Sequence, residues 1–363
     1  MEKLRLPDYF AEKKPRVKNY LRATYFKEPD WIPCTVGLMP ATWKKYREDL
    51  EEIVLDHPDL FPNYEQGSRD FDDLGDRRYQ PGQFTDNWGC LWDNIAPGLD
   101  GAVVGHPLED WADFPDYEPP DPIEEGDGWT GSPPDWEEIE REIKRAKEEG
   151  RLARGGLNHG FMYMRLYYLR GFNNLMLDFA REDPRLDKLI DTVLEYNMAQ
   201  IEKYLELGVE FMYFGGDLGL QDRLPIKPEK FRQYLKPCYE KMYGRCKEEG
   251  VGVYQHSDGH ILEIIPDLVD CGLDIINPQF RANGLDGLEE VAKGKVCINL
   301  DLDRQLLPFT DPQGVREHVK EAVERLNTPQ GGLMLYGEAE PDVPLENIRA
   351  ICETFEEIGG GSF

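Results

Sequence analysis

The amino-acid sequence predicts an α/β protein built as a single (β/α)8 TIM barrel, with a helical lead-in and a long N-terminal loop excursion. From residue 209 onward, short apolar runs alternate regularly with amphipathic helical segments, which is typical of a parallel sheet. The length of 363 residues suits one closed eight-stranded barrel, so residues 1–363 are predicted to form one domain. No GxxxxGK[ST] phosphate loop occurs, which disfavours a nucleotide-binding fold of that type.

Four segments are predicted ahead of the regular alternation. Residues 1–25 are typical of a basic, mostly helical lead-in, and the apolar run at 31–37 is predicted as the first barrel strand. Helical spacing with charge pairs predicts a helix over residues 41–54. Gly, Pro, Asp and aromatic residues dominate residues 57–134, which lack regular periodicity. This segment is predicted to be an irregular but packed excursion over the barrel mouth.

The remaining elements follow from hydrophobic periodicity and from residues that begin or end helices. Helices are predicted over residues 135–149, 184–207, 228–249 and 311–326 and from residue 344 onward. Strands are predicted over residues 209–214, 251–254, 273–276, 296–300 and 332–336. Residues 152–168 carry a mixed pattern and are assigned no single element.

Composition excludes several classes of partner. The net charge of −29 argues against nucleic acid and against an anionic membrane surface, because both require neutralisation by Lys and Arg. No apolar run approaches the length of a membrane span, and the charged N-terminus lacks a signal-peptide core. The seven cysteines are scattered without a CxxC pair. We therefore expect a cytoplasmic protein with reduced thiols.

Polar side chains follow the predicted strands where each strand ends. In a barrel these positions all face one mouth, where ligands bind. They are Asp217, His256, Asp258, Asn277, Gln279, Asp301 and Glu338. Taken singly, Asp217 and Asp301 are also explained by turn and capping roles.

The pair His256 and Asp258 is the sharpest of these signals. Residues two apart on a strand share a face, so the imidazole and the carboxylate are predicted to lie side by side. Such a pair can bind zinc or another divalent metal, with Glu338 as the best-placed third ligand. A hydrogen-bonded His–Asp pair that holds a proton without metal is the open alternative.

Aromatic and arginine residues offer candidate substrate contacts. Arg165 and Arg170 flank an aromatic run that includes Tyr163 and can bind a substrate carboxylate or a corrin side chain, although arginine packed on aromatics is also ordinary architecture. Trp88 and Trp92 can form a lid over an aromatic substrate, with core packing as the alternative.

The stretch HSDGHILEIIPDLVDCGLDIINPQF, residues 256–280, resembles the signature of the uroporphyrinogen decarboxylase superfamily. The segments 170–172, 216–219 and 344–348 resemble the same superfamily. The resemblance implies a (β/α)8 barrel with its site at the carboxyl ends of the strands. It also implies one of two chemistries: decarboxylation of uroporphyrinogen, or zinc-assisted methyl transfer to a separate corrinoid protein.

Two departures from the family patterns favour methyl transfer. Residues 31–46 contain no arginine where decarboxylases carry an arginine-rich motif that holds the substrate's acetate groups. The thiol-methylating branch uses a zinc site resembling His-x-Cys plus a distant Cys, whereas Asp258 and Glu338 stand here. A ligand set of His256, Asp258 and Glu338 is less thiophilic, and fits an oxygen or nitrogen methyl donor better than a thiol.

The resemblance therefore implies a methyltransferase, the demethylase component of a corrinoid-dependent system. It would move a methyl group from a small O- or N-methyl donor, such as a methoxylated aromatic, to cobalt. His256, Asp258 and Asp217 would be catalytic, and Trp88, Tyr163, Arg165, Asn277, Gln279 and Asp301 would contact the donor. The corrinoid would arrive on a partner protein, because the chain has no Asp-x-His-x-x-Gly motif. A decarboxylase that uses Arg165 and Arg170, and a non-catalytic small-molecule-binding barrel, are the alternatives.

Overall fold

The computed structural model describes residues 5–359. Residues 1–4 of the predicted lead-in, and residues 360–363, lie outside the described part. The strands are β1 (Cys34–Leu38), β2 (Gly82–Thr85), β3 (Leu91–Asn94), β4 (Ala102–Gly105), β5 (Arg154–Gly156), β6 (Phe211–Gly215), β7 (Gly252–Ser257), β8 (Ile275–Pro278), β9 (Cys297–Asp301) and β10 (Leu333–Ala339). The α-helices are α1 (Pro15–Thr24), α2 (Pro40–Asp56), α3 (Trp136–Glu148), α4 (Tyr163–Arg170), α5 (Phe172–Arg181), α6 (Pro184–Glu206), α7 (Pro228–Lys230), α8 (Lys236–Glu248), α9 (Ile265–Asp270), α10 (Phe280–Asn283), α11 (Leu285–Val291), α12 (Pro312–Leu326) and α13 (Leu345–Gly359).

Seven strands form one parallel sheet in the order β1-β10-β9-β8-β7-β6-β5, which confirms the predicted α/β architecture. The sheet curls strongly. Its two edge strands, β1 and β5, come close enough for Thr35 and Arg154 to line the same cavity. Within residues 5–359 no ladder of hydrogen bonds joins β1 to β5, and an eighth parallel strand is not present. The expected eighth strand is missing because strands β2 to β4, in the segment between β1 and β5, pair with one another.

The excursion at residues 57–134 is more regular than predicted. It contains an antiparallel sheet in the order β2-β3-β4 and short 3-10 helices at Arg77–Tyr79 and Trp111–Asp116. Its indoles pack against the body, with the Trp92 ring edge-on to Tyr168 at a centroid distance of 5.1 Å. Strands of four residues are too short to show an alternating pattern in sequence, so periodicity could not reveal them.

Local sequence explains the long helices around the sheet. Helix α6 begins after Asp183, whose carboxylate accepts the backbone N–H of Arg185, and it buries the apolar stripe that predicted it. Asp135 and Asp311 cap α3 and α12 in the same way. Strands β8 and β9 are buried along their whole length, as expected for parallel strands covered by helices.

The cysteine side chains lie in the interior of the protein as free thiols. All seven cysteines are buried and none forms a disulfide. Among residues 5–359, no helix has the length and apolarity needed to cross a bilayer.

His318 on α12 makes a pH-dependent contribution to the stability of the fold. Its Nε2 accepts the backbone N–H of Asp303 at 3.1 Å, so the folded protein holds this buried imidazole neutral. Burial lowers its pKa to about 4, with Asp303 opposing and Arg281 reinforcing the change. The unfolded chain binds a proton below the ordinary value of 6.5, so this contribution to stability is lost as pH falls from 6.5 towards 4.

We expect the wild-type protein to lose about 2 kcal/mol more unfolding free energy between pH 7 and pH 5 than His318→Gln loses over the same interval. Urea unfolding of both proteins at the two pH values measures this difference. Equal losses in the two proteins would show that His318 does not carry the pH dependence.

Candidate active site

The polar residues that follow β6, β7, β9 and β10 meet at one edge of the sheet. Two glycines bring the loops after β6 and β7 into backbone contact. A Cβ on Gly219 or on Gly259 would collide with the other glycine's backbone, and Gly259 has a φ of +79°. The contact seats Asp217 beside the next loop, where its Oδ1 accepts the backbone N–H of Asp258 at 3.1 Å.

His256 is held in one orientation by amide groups on the neighbouring strands. Its Nδ1 donates to Asn277 Oδ1 at 2.7 Å. The Asn277 amide is fixed in turn, because its Nδ2 donates to the backbone oxygen of Asn299 at 2.6 Å. The other ring nitrogen, Nε2, therefore faces the site, at 3.2 Å from Asp258 Oδ1 and 3.9 Å from Asp217 Oδ1. The predicted side-by-side placement of His256 and Asp258 is confirmed.

The electrostatics of the cluster favour charged side chains. Burial alone would lower the pKa of His256, but the carboxylates of Asp258, Asp217 and Asp301 outweigh it and raise that pKa to about 9. Burial likewise tends to raise the pKa of Asp217, but His159, His256 and the Asp258 N–H lower it to about 2. At neutral pH the cluster therefore holds an ionised carboxylate beside a strongly basic imidazole.

His159 completes a three-residue group with Asp217 and His256. Each of the three offers a ligand atom, and these atoms all lie within 4.8 Å of one another. His159 Nε2 is 3.4 Å from Asp217 Oδ2. Donor atoms around a tetrahedral zinc with bonds of ~2.0–2.2 Å stand roughly 3.3–3.5 Å apart. The His159–Asp217 distance already matches this spacing, whereas His256 Nε2, at 3.9 Å from Asp217 Oδ1, would have to move closer.

Arg304 occupies the space beside this group. Its Nη2 donates to Asp258 Oδ1 at 2.8 Å and to Asp301 Oδ2 at 2.5 Å, and its Nη1 lies 2.8 Å from Glu338 Oε1. One guanidinium thus joins carboxylates that follow or end β7, β9 and β10. A cation already lies between Asp258 and Glu338, two of the three residues predicted as metal ligands.

Asp301 is fully buried and retains an oxygen without a partner. Burial raises its pKa to about 7 although Arg304 contacts Oδ2. Within the described residues Oδ1 has no hydrogen-bond partner. Asp301 can therefore carry a proton near neutral pH inside the site.

Three residues predicted to contact substrate instead support the site. Asn277 orients His256, as described above. The Gln279 Oε1 accepts the Gly259 N–H at 2.9 Å and holds the turn after β7, while Asp301 binds Arg304. Their placement at the strand ends agrees with the sequence pattern, but their hydrogen bonds point to neighbouring residues.

Trp88 and Arg165 lie in a buried cluster of the excursion. Trp88 is 2% exposed, with its ring edge-on to Tyr196 at 4.5 Å. Arg165 is 3% exposed and donates to Asp86 Oδ2 at 2.8 Å. Both side chains therefore have packing roles in this conformation, because neither is open to a ligand.

Tyr163 and Arg170 differ in whether their polar groups already have a hydrogen-bond partner. Arg170 is buried and bonds Asp178 at 2.9 Å, which closes it to a substrate carboxylate. Tyr163 is also buried, but its hydroxyl lacks a hydrogen-bond partner among the described residues. Tyr163 is thus the one of the two with unused hydrogen-bonding capacity.

Neither His159 nor Arg304 was among the site residues predicted from the sequence. His159 follows β5, whose Arg-Gly-Gly sequence has no apolar run to identify it as a strand. Arg304 lies in a loop, and its three carboxylate partners are separated along the chain. The spacing Asp301-x-x-Arg304 was the only local signal, and it is too common to single out a site.

Comparison with known proteins identifies the family. The family model described as uroporphyrinogen decarboxylase (URO-D) matches residues 95–358. Two relatives described as uroporphyrinogen decarboxylases, from two strains of Thermus thermophilus, are each 24% identical over 180 residues. These matches cover 48% of this chain and 48% of each relative, so the chain spans about half the length of the curated relatives it matches.

A solved structure shows a similar fold over nearly the whole chain. A methyltransferase from Methanosarcina mazei has a TM-score of 0.61 at 17% identity, covering 94% of this chain and 98% of that chain. At this identity the likeness speaks for the fold. The family model itself spans most of the chain, and this protein therefore belongs to the uroporphyrinogen decarboxylase family.

Proposed function

We propose that this protein is a methyltransferase that moves a methyl group from a small O- or N-methyl donor, such as a methoxylated aromatic, to the cobalt of a corrinoid on a separate protein. The observation that carries the proposal is the group His159, Asp217 and His256 at the carboxyl edge of the sheet. Family membership and the fold shared with a methyltransferase support it.

We propose His159, Asp217 and His256 as the residues that hold zinc or a similar divalent metal. Two imidazoles and one carboxylate suit zinc, and the fixed Nδ1 of His256 leaves Nε2 facing Asp217, where it would bind the metal after losing its proton. This set replaces the combination of His256, Asp258 and Glu338, because Arg304 binds the latter two carboxylates. When bound, the metal would supply a Lewis acid that neutralises charge on the donor's leaving oxygen or nitrogen.

The remaining residues prepare the site for this reaction. Asn277 keeps the His256 ring in register. Arg304 neutralises the carboxylates of Asp258 and Glu338, which would otherwise repel a phenolate leaving group. Asp301, which can hold a proton near neutral pH, is the group of the cluster that we propose to protonate the departing oxygen.

Decarboxylation of uroporphyrinogen is the second candidate, because the family model carries that name. It needs free cations for a polycarboxylate substrate. Arg165 and Arg170, the arginines considered for that role, are buried and paired with Asp86 and Asp178. A net charge of −29 adds repulsion to such a substrate. These features favour methyl transfer.

The test combines the purified protein with zinc, cob(I)alamin and a panel of methoxylated benzoates and methylamines. We expect a rise in methylcobalamin absorbance with at least one donor, and its loss in Asp217→Ala. A parallel assay supplies uroporphyrinogen. Formation of coproporphyrinogen there, without methyl transfer from any donor, would overturn the proposal in favour of decarboxylation.

A further inference from the structure

A cavity lies at the amino-terminal end of the parallel sheet, opposite the edge that carries the candidate active site. It has a volume of about 830 Å³, within the usual range for small-molecule sites. Inward-facing side chains of six strands, together with α1, line it. The lining includes Thr35, Arg154, Tyr213, Tyr254, Asn299 and Tyr336.

Arg154 is an unpaired cation in this cavity. Its guanidinium lies over the ring of Tyr213, 5.2 Å from the centroid, and 5.9 Å from that of Tyr20. Arg154 is exposed, and no carboxylate of the described residues lies within ion-pair distance of it, whereas the buried Arg165 and Arg170 each pair with one. In a chain of net charge −29, a cation left without a carboxylate indicates a place for an anion.

The other charged groups at the cavity leave this positive character intact. Lys14 and Arg16 also line it, and Arg16 donates to the backbone oxygen of Asp59. Of the lining carboxylates, Glu356 is engaged by His57 Nδ1 at 2.8 Å. With Arg151 and Arg154 the lining therefore holds four cationic side chains, against the two carboxylates of Asp59 and Glu356.

The uncharged side chains of the lining include several aromatic rings and one polar atom without a hydrogen-bond partner, Asn299 Oδ1. Tyr213, Tyr254 and Tyr336 supply ring faces. Asn299 Nδ2 donates to the Tyr254 hydroxyl at 3.0 Å, whereas its buried Oδ1 has no partner among the described residues. An acceptor of this kind suits a ligand hydroxyl.

We propose that this cavity is a second binding site, for a small aromatic carboxylate that bears a ring hydroxyl. Arg154 would bind the carboxylate, the tyrosines would pack on the ring, and Asn299 Oδ1 would accept the hydroxyl. The site is separate from the cluster around His256. The two are divided by Tyr336, whose hydroxyl donates to Glu338 at 3.0 Å on the other side. The inference does not depend on the proposed methyl transfer.

Isothermal titration calorimetry with 4-hydroxybenzoate tests the proposal on the full-length protein. We expect one saturable site per chain, at least tenfold weaker binding in Arg154→Met, and unchanged binding in Asp217→Asn. Arg141→Met, on the exposed face of α3, is the matched control and should bind like the wild type. Benzoate, which lacks the hydroxyl, should bind more weakly than 4-hydroxybenzoate.

Four results would overturn the proposal or its aromatic assignment. The first is no saturable binding to the wild type, and the second is equal affinity in Arg154→Met. The third is loss of binding in Asp217→Asn, which would place the ligand at the other end of the sheet. Saturable binding of inorganic phosphate with equal affinity would show a general anion site and overturn the aromatic assignment.

Discussion

His256→Ala is expected to lower the rate of methyl transfer by about a thousandfold, because it removes the imidazole on which the cluster is centred. His256 Nε2 faces both Asp217 and Asp258, so its loss leaves the metal group with two members. Lewis-acid stabilisation of several kcal/mol corresponds to a rate factor of roughly 10³. The measurement is the initial rate of methylcobalamin formation, with circular dichroism to show that the variant is folded.

Two further variants calibrate this result. Asn277→Ala removes the partner of His256 Nδ1 together with the hydrogen bond to Asn299, and we expect a loss of rate of roughly 10–100-fold. His260→Ala is the control, since His260 binds the backbone of Ala282 and the Glu263 carboxylate outside the cluster. Its rate should stay within about twofold of the wild type. A His256→Ala rate within tenfold of the wild-type rate would exclude His256 as a catalytic residue.

Arg304→Met is expected to lower the free energy of unfolding by about 3–5 kcal/mol. The substitution keeps an unbranched apolar stem but leaves Asp258, Asp301 and Glu338 without their shared cation. Removing one partner from a buried ion pair commonly has an effect of this size, because the remaining charge stays buried. Urea unfolding followed by circular dichroism measures the change.

Two further variants test whether the lower free energy of unfolding comes from the unpaired carboxylates or from lost packing. Adding Asp301→Asn to Arg304→Met removes the most buried of the stranded carboxylates and should recover part of the stability. Arg141→Met breaks only the exposed ion pairs with Glu137 and Glu138 and should change stability by less than about 1 kcal/mol. If Arg304→Met were no more destabilising than Arg141→Met, the three carboxylates would not depend on Arg304.

The alternation of strands and helices could be predicted because each element carries its own signal. Helix α6 has a long apolar stripe and an Asp cap, and its predicted range 184–207 matches Pro184–Glu206. Helix α12 at Pro312–Leu326 begins after a capping Asp311 as predicted. The strands β8 and β9 are buried along their length and begin with apolar residues, as is typical of parallel strands covered by helices.

Other parts of the fold depend on contacts that no local pattern encodes. The four-residue strands β2, β3 and β4 exist because they pair with one another and cover aromatic residues. Strand β5 is only three residues long and contains two glycines, so its own sequence favours no strand. The number of strands in the parallel sheet therefore could not be read from spacing.

In the candidate site, too, some residues follow from a local pattern and others depend on contacts between distant segments. A period of two placed His256 beside Asp258, which the structure confirms at 3.2 Å. The choice of Glu338 as a third ligand considered strand ends alone and could not take account of Arg304, which reaches Glu338 from a loop. Charge compensation between distant segments is a property of the folded chain. It decides which carboxylates remain free to bind a metal.

The metal content of three purified proteins distinguishes the two ligand sets. We expect about one zinc or similar ion per chain in the wild type and in Glu338→Gln, and none in His159→Ala. That result would assign the metal to His159, Asp217 and His256. Retention of the ion in His159→Ala, or its loss in Glu338→Gln, would contradict the assignment. A wild-type protein that binds no zinc when dialysed against it would leave His256 and its neighbouring carboxylates as a metal-free proton-holding group.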